Sequence, residues 1–559
     1  MSDKQKNGAA GDSVQYTRVA HATANKKCES TVNWTLTSCS MTDFVQIIAQ
    51  PIYTVPVIFV PGIMGSNLMA TQDVDGLMKG DPIWLMDSEG GAATAWKFKS
   101  PAERQARLNP ATTDVYDGGA VPGNVLTIGD AKLIKENRYW GEVAAASYQG
   151  YLVWLENALN GRKRVDAWRA LQGDTAFAAA LSAGFKFQQV KKDDVDHAAD
   201  IRFPVYACGY NWLQSNSESA KRLAKRIEAV IKANNSKSFT CEQVILITHS
   251  MGGLVARACS ELQGQQGKIA GILHGVMPAT GAAVAYKRVR TGSEGLAGYF
   301  VLGDTAAKVT AVFANAPGAL QLLPSQHYPP GWLKLGTGIG SDFKEVAALP
   351  AADPYAEIYE QRGKWWGLVR EELINPAKMK LHKGWSDYLK NIRSAKEFHT
   401  ELGSKYHRNT MAFFGSGSDA DNGKTWGTVR WEARAASDMA SKTNGHTGLH
   451  DTVAMRASNA EMLAMAPAAD DGEGALSALN TPRYRYDFRL SSKDSAGDGT
   501  VPVVSGRAPA LAGDAAGVKA SYHLNLGTQG HEGAYRVQQA QQLSLHCVLS
   551  LARNIKVKL

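Results

Sequence analysis

Ser250 is the residue of this sequence with the strongest chemical signature. It lies in Thr-His-Ser-Met-Gly (248–252), which is close to the G-x-S-x-G pattern of a nucleophile elbow. The strained serine backbone requires small neighbours two positions away on each side. An apolar run (243–248) precedes Ser250 and an amphipathic helical pattern follows it, whereas a second match at 291–295, around Ser293, has neither context. We therefore predict a nucleophile at Ser250; the alternative is a serine that caps a helix.

A serine nucleophile needs a base and an acid that orients the base. Asp498 lies in Gly-Asp-Gly-Thr-Val-Pro (497–502), and His531 follows it directly before the C-terminal helical pattern. Serine, acid and histidine then stand in the chain order of α/β-hydrolases. Each residue also has an ordinary alternative, a turn aspartate for Asp498 and a helix-start residue for His531.

Other histidines fit the role of base less well. His523 belongs to an apolar run that is typical of a strand, and His249 is too near Ser250 in sequence to reach over it. His446 and His450 precede the acid, which is the wrong order.

Two backbone N–H groups are the candidates for an oxyanion hole. One belongs to Met251, directly after the serine, and the other to Ile63, in Val-Pro-Gly-Ile-Met-Gly-Ser (60–66) after the first strand. The alternative for the second segment is an ordinary glycine-rich turn.

The elements that must position these residues alternate between strands and helices. Apolar runs at 57–60, 203–207, 243–248, 269–276 and 410–415 predict strands buried on both faces, with amphipathic helices between several of them. This order predicts a mostly parallel sheet flanked by helices, an α/β-hydrolase fold with two large insertions that form a cap over the site. The predicted divisions are a polar N-terminal arm (1–50), the first part of the core (51–277), a cap insertion (278–408), a core strand (409–415), a second insertion (416–482) and the C-terminal part of the core (483–559). Within the cap, residues 295–303 are the candidate for a mobile apolar flap, or else a buried core segment.

Composition narrows the classes of function. The chain has 559 residues and a formal net charge of +9, which favours contact with anionic surfaces. It carries no long basic run, zinc knuckle or RNA-recognition signature, so we expect no nucleic-acid partner. We find no signal peptide and no stretch of about 20 apolar residues, and therefore expect synthesis in the cytoplasm and no membrane span.

Two minor features concern metal and thiol chemistry. Asp419, Asp421 and Asn422 suggest a calcium loop, but the pattern lacks the ligand glutamate, so a polar surface loop is favoured and we expect no metal or cofactor. Cys28 and Cys39 are near enough in sequence to pair, or they are two free thiols.

Five motifs together resemble one group of lipases. They are 60–66, Gly-Tyr-Asn-Trp (209–212), Thr-His-Ser-Met-Gly-Gly-Leu-Val-Ala-Arg (248–257), Ala-Pro-Gly-Ala-Leu-Gln-Leu-Leu-Pro-Ser (316–325) and 497–502. The group is the lecithin–cholesterol acyltransferase and glycolipid-inositol deacylase branch, and within it the chain is most similar to bacterial type VI secretion lipase effectors. Two positions depart from the pattern. Thr248, which is β-branched and should open the elbow slightly, replaces a glycine, and Asn211 replaces an aspartate that is common in acyltransferase-like members.

The resemblance implies hydrolysis of fatty-acyl esters in membrane phospholipids by Ser250, Asp498 and His531 without a cofactor. It also implies delivery by the type VI apparatus into the periplasm of a target cell, where the protein would act at the membrane surface. The implied partners are phospholipid, a cognate immunity protein and components of the secretion spike. The alternatives are an acyltransferase or neutral lipid esterase on the same fold, and a non-catalytic binding protein.

Overall fold

A computed structural model describes residues 17–21, 23–24, 30–31, 44–48, 53–182, 186, 189–236, 239–294, 303–418, 423–435, 459–481, 484–553 and 555. Two six-stranded sheets organise this part of the chain. Their strands are, in chain order, β1 Val57–Val60, β2 Val205–Ala207, β3 Val244–His249, β4 Ile269–Gly275, β5 Leu333–Thr337, β6 Lys344–Leu349, β7 Thr410–Gly415, β8 Val429–Ala435, β9 Ala466–Asp470, β10 Ala475–Thr481, β11 Tyr484–Leu490 and β12 Val518–Leu524.

The core sheet is parallel throughout and has the order β2-β1-β3-β4-β7-β12. Its side chains alternate between two apolar layers, as the period of a strand requires. In β1, Val57 and Phe59 enter one buried cluster while Ile58 and Val60 enter the other. Both faces are therefore covered, which explains why these strands read as unbroken apolar runs.

Helices cover the two faces of the core sheet. The described α-helices are α1 Glu89–Lys97, α2 Pro101–Arg107, α3 Ala131–Arg138, α4 Ala145–Asn160, α5 Arg164–Gly173, α6 Thr175–Ser182, α7 Lys192–Ala199, α8 Asn216–Ala233, α9 Gly252–Leu262, α10 Ala283–Thr291, α11 Ala306–Phe313, α12 Pro317–Leu320, α13 Trp385–Leu402, α14 Asn459–Ala464, α15 Val503–Gly506, α16 Ala508–Ala512 and α17 Gln538–Ala552. The buried faces of α8 and α9 share one cluster, and those of α4 and α17 share the other.

The second sheet has the order β6-β5-β8-β11-β10-β9 and is built from both insertions. Strands β5 and β6 come from the first insertion, and β8 pairs with β5 in parallel. We predicted that Tyr484–Leu490 belongs to the C-terminal part of the core, but this strand, β11, pairs with β8 and β10 instead. The division at residue 483 therefore differs from the structure, because the apolar–polar alternation of 484–490 indicates a strand but does not identify the sheet in which that strand pairs.

The N-terminal half carries smaller sheets. Leu68–Ala70, Pro82–Trp84 and Thr113–Val115 form a three-stranded sheet, and Tyr53–Thr54 pairs with Ile201–Arg202. Asn124–Val125 pairs with Gly129–Asp130. Within the described part of the arm, Thr17–His21 pairs with Phe44–Ile48, and Thr23–Ala24 pairs with Ser30–Thr31.

Four cysteines lie in the described residues, and all four are free and buried: Cys208, Cys241, Cys259 and Cys547. Cys28 and Cys39 lie outside the described residues. None of the described helices combines the length and hydropathy that crossing a bilayer requires.

Candidate active site

Ser250 lies at the sharp turn between β3 and α9. Its φ is 51°, in the left-handed region that non-glycine residues rarely adopt, and its N–H donates to the Gly275 carbonyl at 2.9 Å. A side chain at Gly252 would collide with the carbonyl oxygens of Val60 and Pro61. The close approach of α9 to the end of β1 therefore requires glycine two residues after the serine.

Thr248, in place of the first glycine, is accommodated by a polar neighbour on the next strand. Thr248 pairs in register with His274 of β4, and its hydroxyl lies 3.1 Å from His274 Nδ1. Burial, together with the nearby charge of Arg257, lowers the pKa of His274 to about 3, so the ring is neutral. The buried hydroxyl of Thr248 therefore has a hydrogen-bond partner, which is why a threonine is tolerated at this position.

The structure brings Ser250, His531 and Asp498 into one chain of hydrogen bonds. His531 Nε2 lies 2.8 Å from Ser250 Oγ, and His531 Nδ1 lies 2.9 Å from Asp498 Oδ2. These residues come from three separate loops, after β3, before α15 and before α17. The serine hydroxyl can transfer its proton to Nε2, while the carboxylate holds the ring orientation and stabilises the cation that forms.

Asp498 stabilises its own backbone turn and also contacts His531. Its Oδ1 accepts the N–H groups of Thr500 and Val501 at 3.0 and 2.6 Å, while its Oδ2 faces His531. The turn aspartate and the catalytic acid, which we treated as alternatives, are therefore compatible in one side chain. The backbone bonds lock the carboxylate in place, and its side chain is only 1% exposed.

His249 links the histidine loop to the loop after β1. Its Nε2 lies 2.9 Å from the carbonyl oxygen of His531, so Nε2 carries the hydrogen. Its Nδ1 then accepts the hydroxyl of Tyr148 at 3.0 Å, and the same hydroxyl oxygen accepts the Gly62 N–H at 3.2 Å. Burial, with a smaller effect from neighbouring His531, lowers the pKa of His249 to about 3 and keeps it neutral.

We call this series of hydrogen bonds, from the His531 carbonyl through His249 and Tyr148 to the Gly62 N–H, the relay. The sequence analysis did not predict it. In the sequence, Tyr148 is one of several residues that recur on the apolar face of α4, and His249 was set aside as a base because of its closeness to Ser250. His249 indeed does not contact the serine hydroxyl. Its contact with His531 arises because the loop before α17 folds back over β3, which no spacing in the sequence indicates.

The loop after β1 holds the candidate oxyanion donor in place. Tyr210 donates to the Pro61 carbonyl at 2.8 Å, and Trp84 Nε1 donates to the Met64 carbonyl at 2.8 Å. Tyr148 occupies the N–H of Gly62, and in the described part of the chain the N–H groups of Ile63 and Met251 donate to no protein atom. They are therefore free to donate to an oxyanion, as the predicted oxyanion hole requires.

A pocket of about 630 Å³ opens over Ser250 and His531, within the range of small-molecule sites. Much of its wall comes from the first insertion, including Val284, Ala285 and Phe313. Its apolar lining comprises Ile63, Met64, Trp84, Met86, Ala144, Ala146, Pro278, Ala282, Val284, Ala285, Phe313, Leu322, Trp426 and Val501. Such a surface suits a hydrocarbon chain attached to a group that reacts at the serine.

The remaining candidates lie elsewhere or have other contacts. His523 lies in β12 with Nδ1 3.4 Å from Ser416 Oγ, and it does not line the pocket. Asn211 donates to Thr113, also away from the pocket. Ser293, from the second serine motif, follows α10 and lines the pocket.

The calcium candidates Asp419, Asp421 and Asn422, the histidines at 446 and 450, and residues 295–302 of the flap lie outside the described residues. Within the described residues, no three His, Cys, Asp or Glu side chains form a group that could hold a metal ion.

Comparison with known proteins identifies a related family and a similar solved structure. Residues 177–291 match the PGAP1-like alpha/beta domain family, a stretch that includes β3, the elbow and α9. The structure is similar to a chain in the crystal structure of the Tle4–Tli4 complex, with a TM-score of 0.69 and 29% identity, over 90% of this chain and 99% of that one. No curated protein matches the sequence. The α/β-hydrolase fold and the resemblance to type VI lipase effectors are confirmed.

Proposed function

We propose that this protein is a serine phospholipase that cleaves fatty-acyl esters of membrane phospholipids. The observation that carries the proposal is the Ser250–His531–Asp498 chain of hydrogen bonds at an apolar pocket. An acyl chain lying along the apolar wall would bring its ester carbonyl to the serine hydroxyl.

In the proposed first step, Ser250 Oγ attacks the ester carbonyl as His531 Nε2 takes the hydroxyl proton. The carbonyl oxygen becomes an oxyanion, which the N–H groups of Ile63 and Met251 stabilise. Collapse of the tetrahedral intermediate breaks the bond to the glycerol oxygen, which takes the proton from His531. The lysophospholipid leaves, and an acyl-serine ester remains.

In the second step, water attacks the acyl-serine carbonyl and His531 takes a proton from the water. The serine oxygen then leaves and regains that proton, and free fatty acid is released. Both steps use only side chains and backbone groups of this chain, so we propose that the reaction needs no metal or cofactor.

We further propose that the protein acts as an antibacterial effector of type VI secretion. Its similarity to Tle4 over nearly the whole chain supports a phospholipase effector of this system. Tle4 was crystallised with Tli4, which supports an immunity protein as a partner of this chain. We propose delivery with spike components into the target periplasm, where the protein works at the membrane surface.

The direct test is mass spectrometry of the products from phosphatidylethanolamine. Wild type should release equal amounts of fatty acid and lysophosphatidylethanolamine. Ser250→Ala should lower turnover by about 10³-fold or more, because the three residues act as a unit. Ser217→Ala, at the start of α8 and away from the pocket, is the matched control and should behave as wild type.

Two outcomes would contradict the proposal. Release of fatty acid at the wild-type rate by Ser250→Ala would place the nucleophile elsewhere. Accumulation of new esters on added alcohol, in place of free fatty acid, would indicate an acyltransferase.

A further inference from the structure

Two of the side chains that line the pocket are cations. Arg288 of α10 and Lys493, which follows β11, both line the pocket. Lys287 does not line the pocket, but its Nζ lies 5.2 Å from the centre of the Trp426 ring, and Lys493 Nζ lies 5.9 Å from the same ring, which does line it. We call Lys287, Arg288 and Lys493 the cationic wall.

The nearby carboxylates do not neutralise the cationic wall. Glu294 pairs with both Lys287 and Arg288, at 2.8 and 2.9 Å. Asp494 is next to Lys493, but its oxygens accept hydrogen bonds from Gly427, Thr428 and Ser495.

The two other carboxylates of the pocket, Glu532 and Asp498, bind Ser147 and His531 respectively. In the described part of the chain, Lys493 has no carboxylate within ion-pairing distance. Lys287, Arg288 and Lys493 against Glu294 and the neighbouring Asp494 still leave one net positive charge at this wall.

A buried hydroxyl adds a hydrogen-bond donor at the same place. Ser293 precedes Glu294 and lines the pocket, and its Oγ is buried with no partner among the described residues. A buried hydroxyl without a partner is costly, and because Ser293 lines the pocket, a bound ligand could supply the acceptor that its hydroxyl lacks. Ammonium, guanidinium and hydroxyl donors together suit the oxygens of a phosphate.

The cationic wall is joined directly to the loop of the acid. Arg288 Nη2 lies 3.3 Å from Thr500 Oγ1, and the Thr500 N–H donates to Asp498 at 3.0 Å. A phosphate bound here is therefore adjacent to the reacting groups. In a glycerophospholipid the phosphate is attached to the same glycerol as the esters, so it must lie near the reacting ester.

We propose that Arg288 and Lys493, with Ser293, form a subsite for the phosphodiester of the substrate and make the enzyme select phospholipids over neutral glycerides. This inference rests on the proposed function. It identifies the residues that distinguish two lipids with identical acyl chains.

The test compares kcat/KM for dihexanoyl phosphatidylethanolamine and dihexanoyl glycerol, both below their critical micelle concentrations. Wild type should prefer the phospholipid, and Lys493→Gln and Arg288→Gln should each lower that preference by about 10-fold or more, since each removes a charge-assisted contact. Lys390→Gln removes an exposed charge on α13 and should keep the wild-type preference.

Losses that are equal for the two substrates would overturn the subsite, because they would mean a structural role for these cations. A wild-type enzyme that hydrolyses only the glyceride, or neither lipid, would instead contradict the proposed function itself.

A second experiment tests whether the subsite recognises the phosphodiester of a lipid headgroup or any free phosphate. Glycerophosphoethanolamine should inhibit hydrolysis of dihexanoyl glycerol more strongly than inorganic phosphate does, and Lys493→Gln should weaken that inhibition. Inhibition by inorganic phosphate alone would overturn the assignment to a lipid phosphodiester.

Discussion

At the scale of single residues, the site uses side chains that satisfy structural and chemical needs together. Asp498 holds its own turn with one oxygen and His531 with the other. His249 contributes no proton transfer to Ser250, yet it connects the His531 carbonyl to Tyr148. Hydrogen bonds that fix the loops on both sides of Ser250 therefore position the reacting groups.

Tyr148→Phe tests the relay. It removes the hydroxyl that accepts from Gly62 and donates to His249, leaving two buried groups without a partner at a cost of about 1–3 kcal/mol each. We expect kcat on a short soluble ester to fall by about 10-fold, as the oxyanion loop loses its anchor. KM should change little. Stopped-flow or steady-state hydrolysis with a chromogenic ester measures both constants.

The matched control is Tyr355→Phe. The Tyr355 hydroxyl is equally buried in the first insertion, has no partner among the described residues and does not line the pocket. It should keep wild-type kcat. If the two variants lose the same fraction of activity, the relay has no specific role.

At the scale of elements, the two insertions form one structural unit. Strands from both complete the second sheet, and a buried ion pair connects α10 to β9. Arg290 and Asp470 lie 2.8 Å apart with side chains 3% and 7% exposed, and Arg290 also donates to the carbonyls of Trp365 and Gly367. The wall of the pocket that α10 supplies is therefore held by the second insertion.

Asp470→Ala should lower the free energy of unfolding by roughly 3–5 kcal/mol, because it leaves the Arg290 guanidinium buried and unpaired. Denaturant unfolding followed by circular dichroism measures the change. Glu371→Ala breaks the exposed Arg362–Glu371 pair and serves as the control, for which we expect no measurable change. Equal midpoints for the two variants would show that the buried pair is not needed to hold the insertions.

At the scale of the whole molecule, the net charge of +9 favours binding to an anionic membrane surface. The compartment in which the protein reaches lipid should therefore determine whether its activity harms a cell. We expect wild type fused to a periplasmic export signal to reduce the viable count of a bacterium, and untagged cytoplasmic protein to be milder. Exported Ser250→Ala should be harmless. Plating after induction measures survival, with immunoblots to confirm equal amounts. Similar killing by both exported proteins would separate toxicity from ester hydrolysis.

The sequence by itself determined the local features of the core. The apolar runs of β1, β3, β4 and β7 and the helix after Ser250 were predictable, because burial on both faces of a parallel sheet leaves an unbroken apolar pattern. The candidates Ser250, Asp498 and His531 were also identifiable, since a nucleophile elbow and its partners follow a fixed chain order. Their catalytic roles stay predictions until the variants are measured.

Only the tertiary structure decided which distant segments meet. Strand β11 was recognisable as a strand, but its place in the second sheet depends on its partners β8 and β10, both of which come from the second insertion. The relay through Tyr148 and His249 and the cationic wall of Lys287, Arg288 and Lys493 likewise join residues that are far apart in sequence. The physical reason is that periodicity reports how each segment is buried, whereas pairing and side-chain contacts depend on how the loops bring separate segments together.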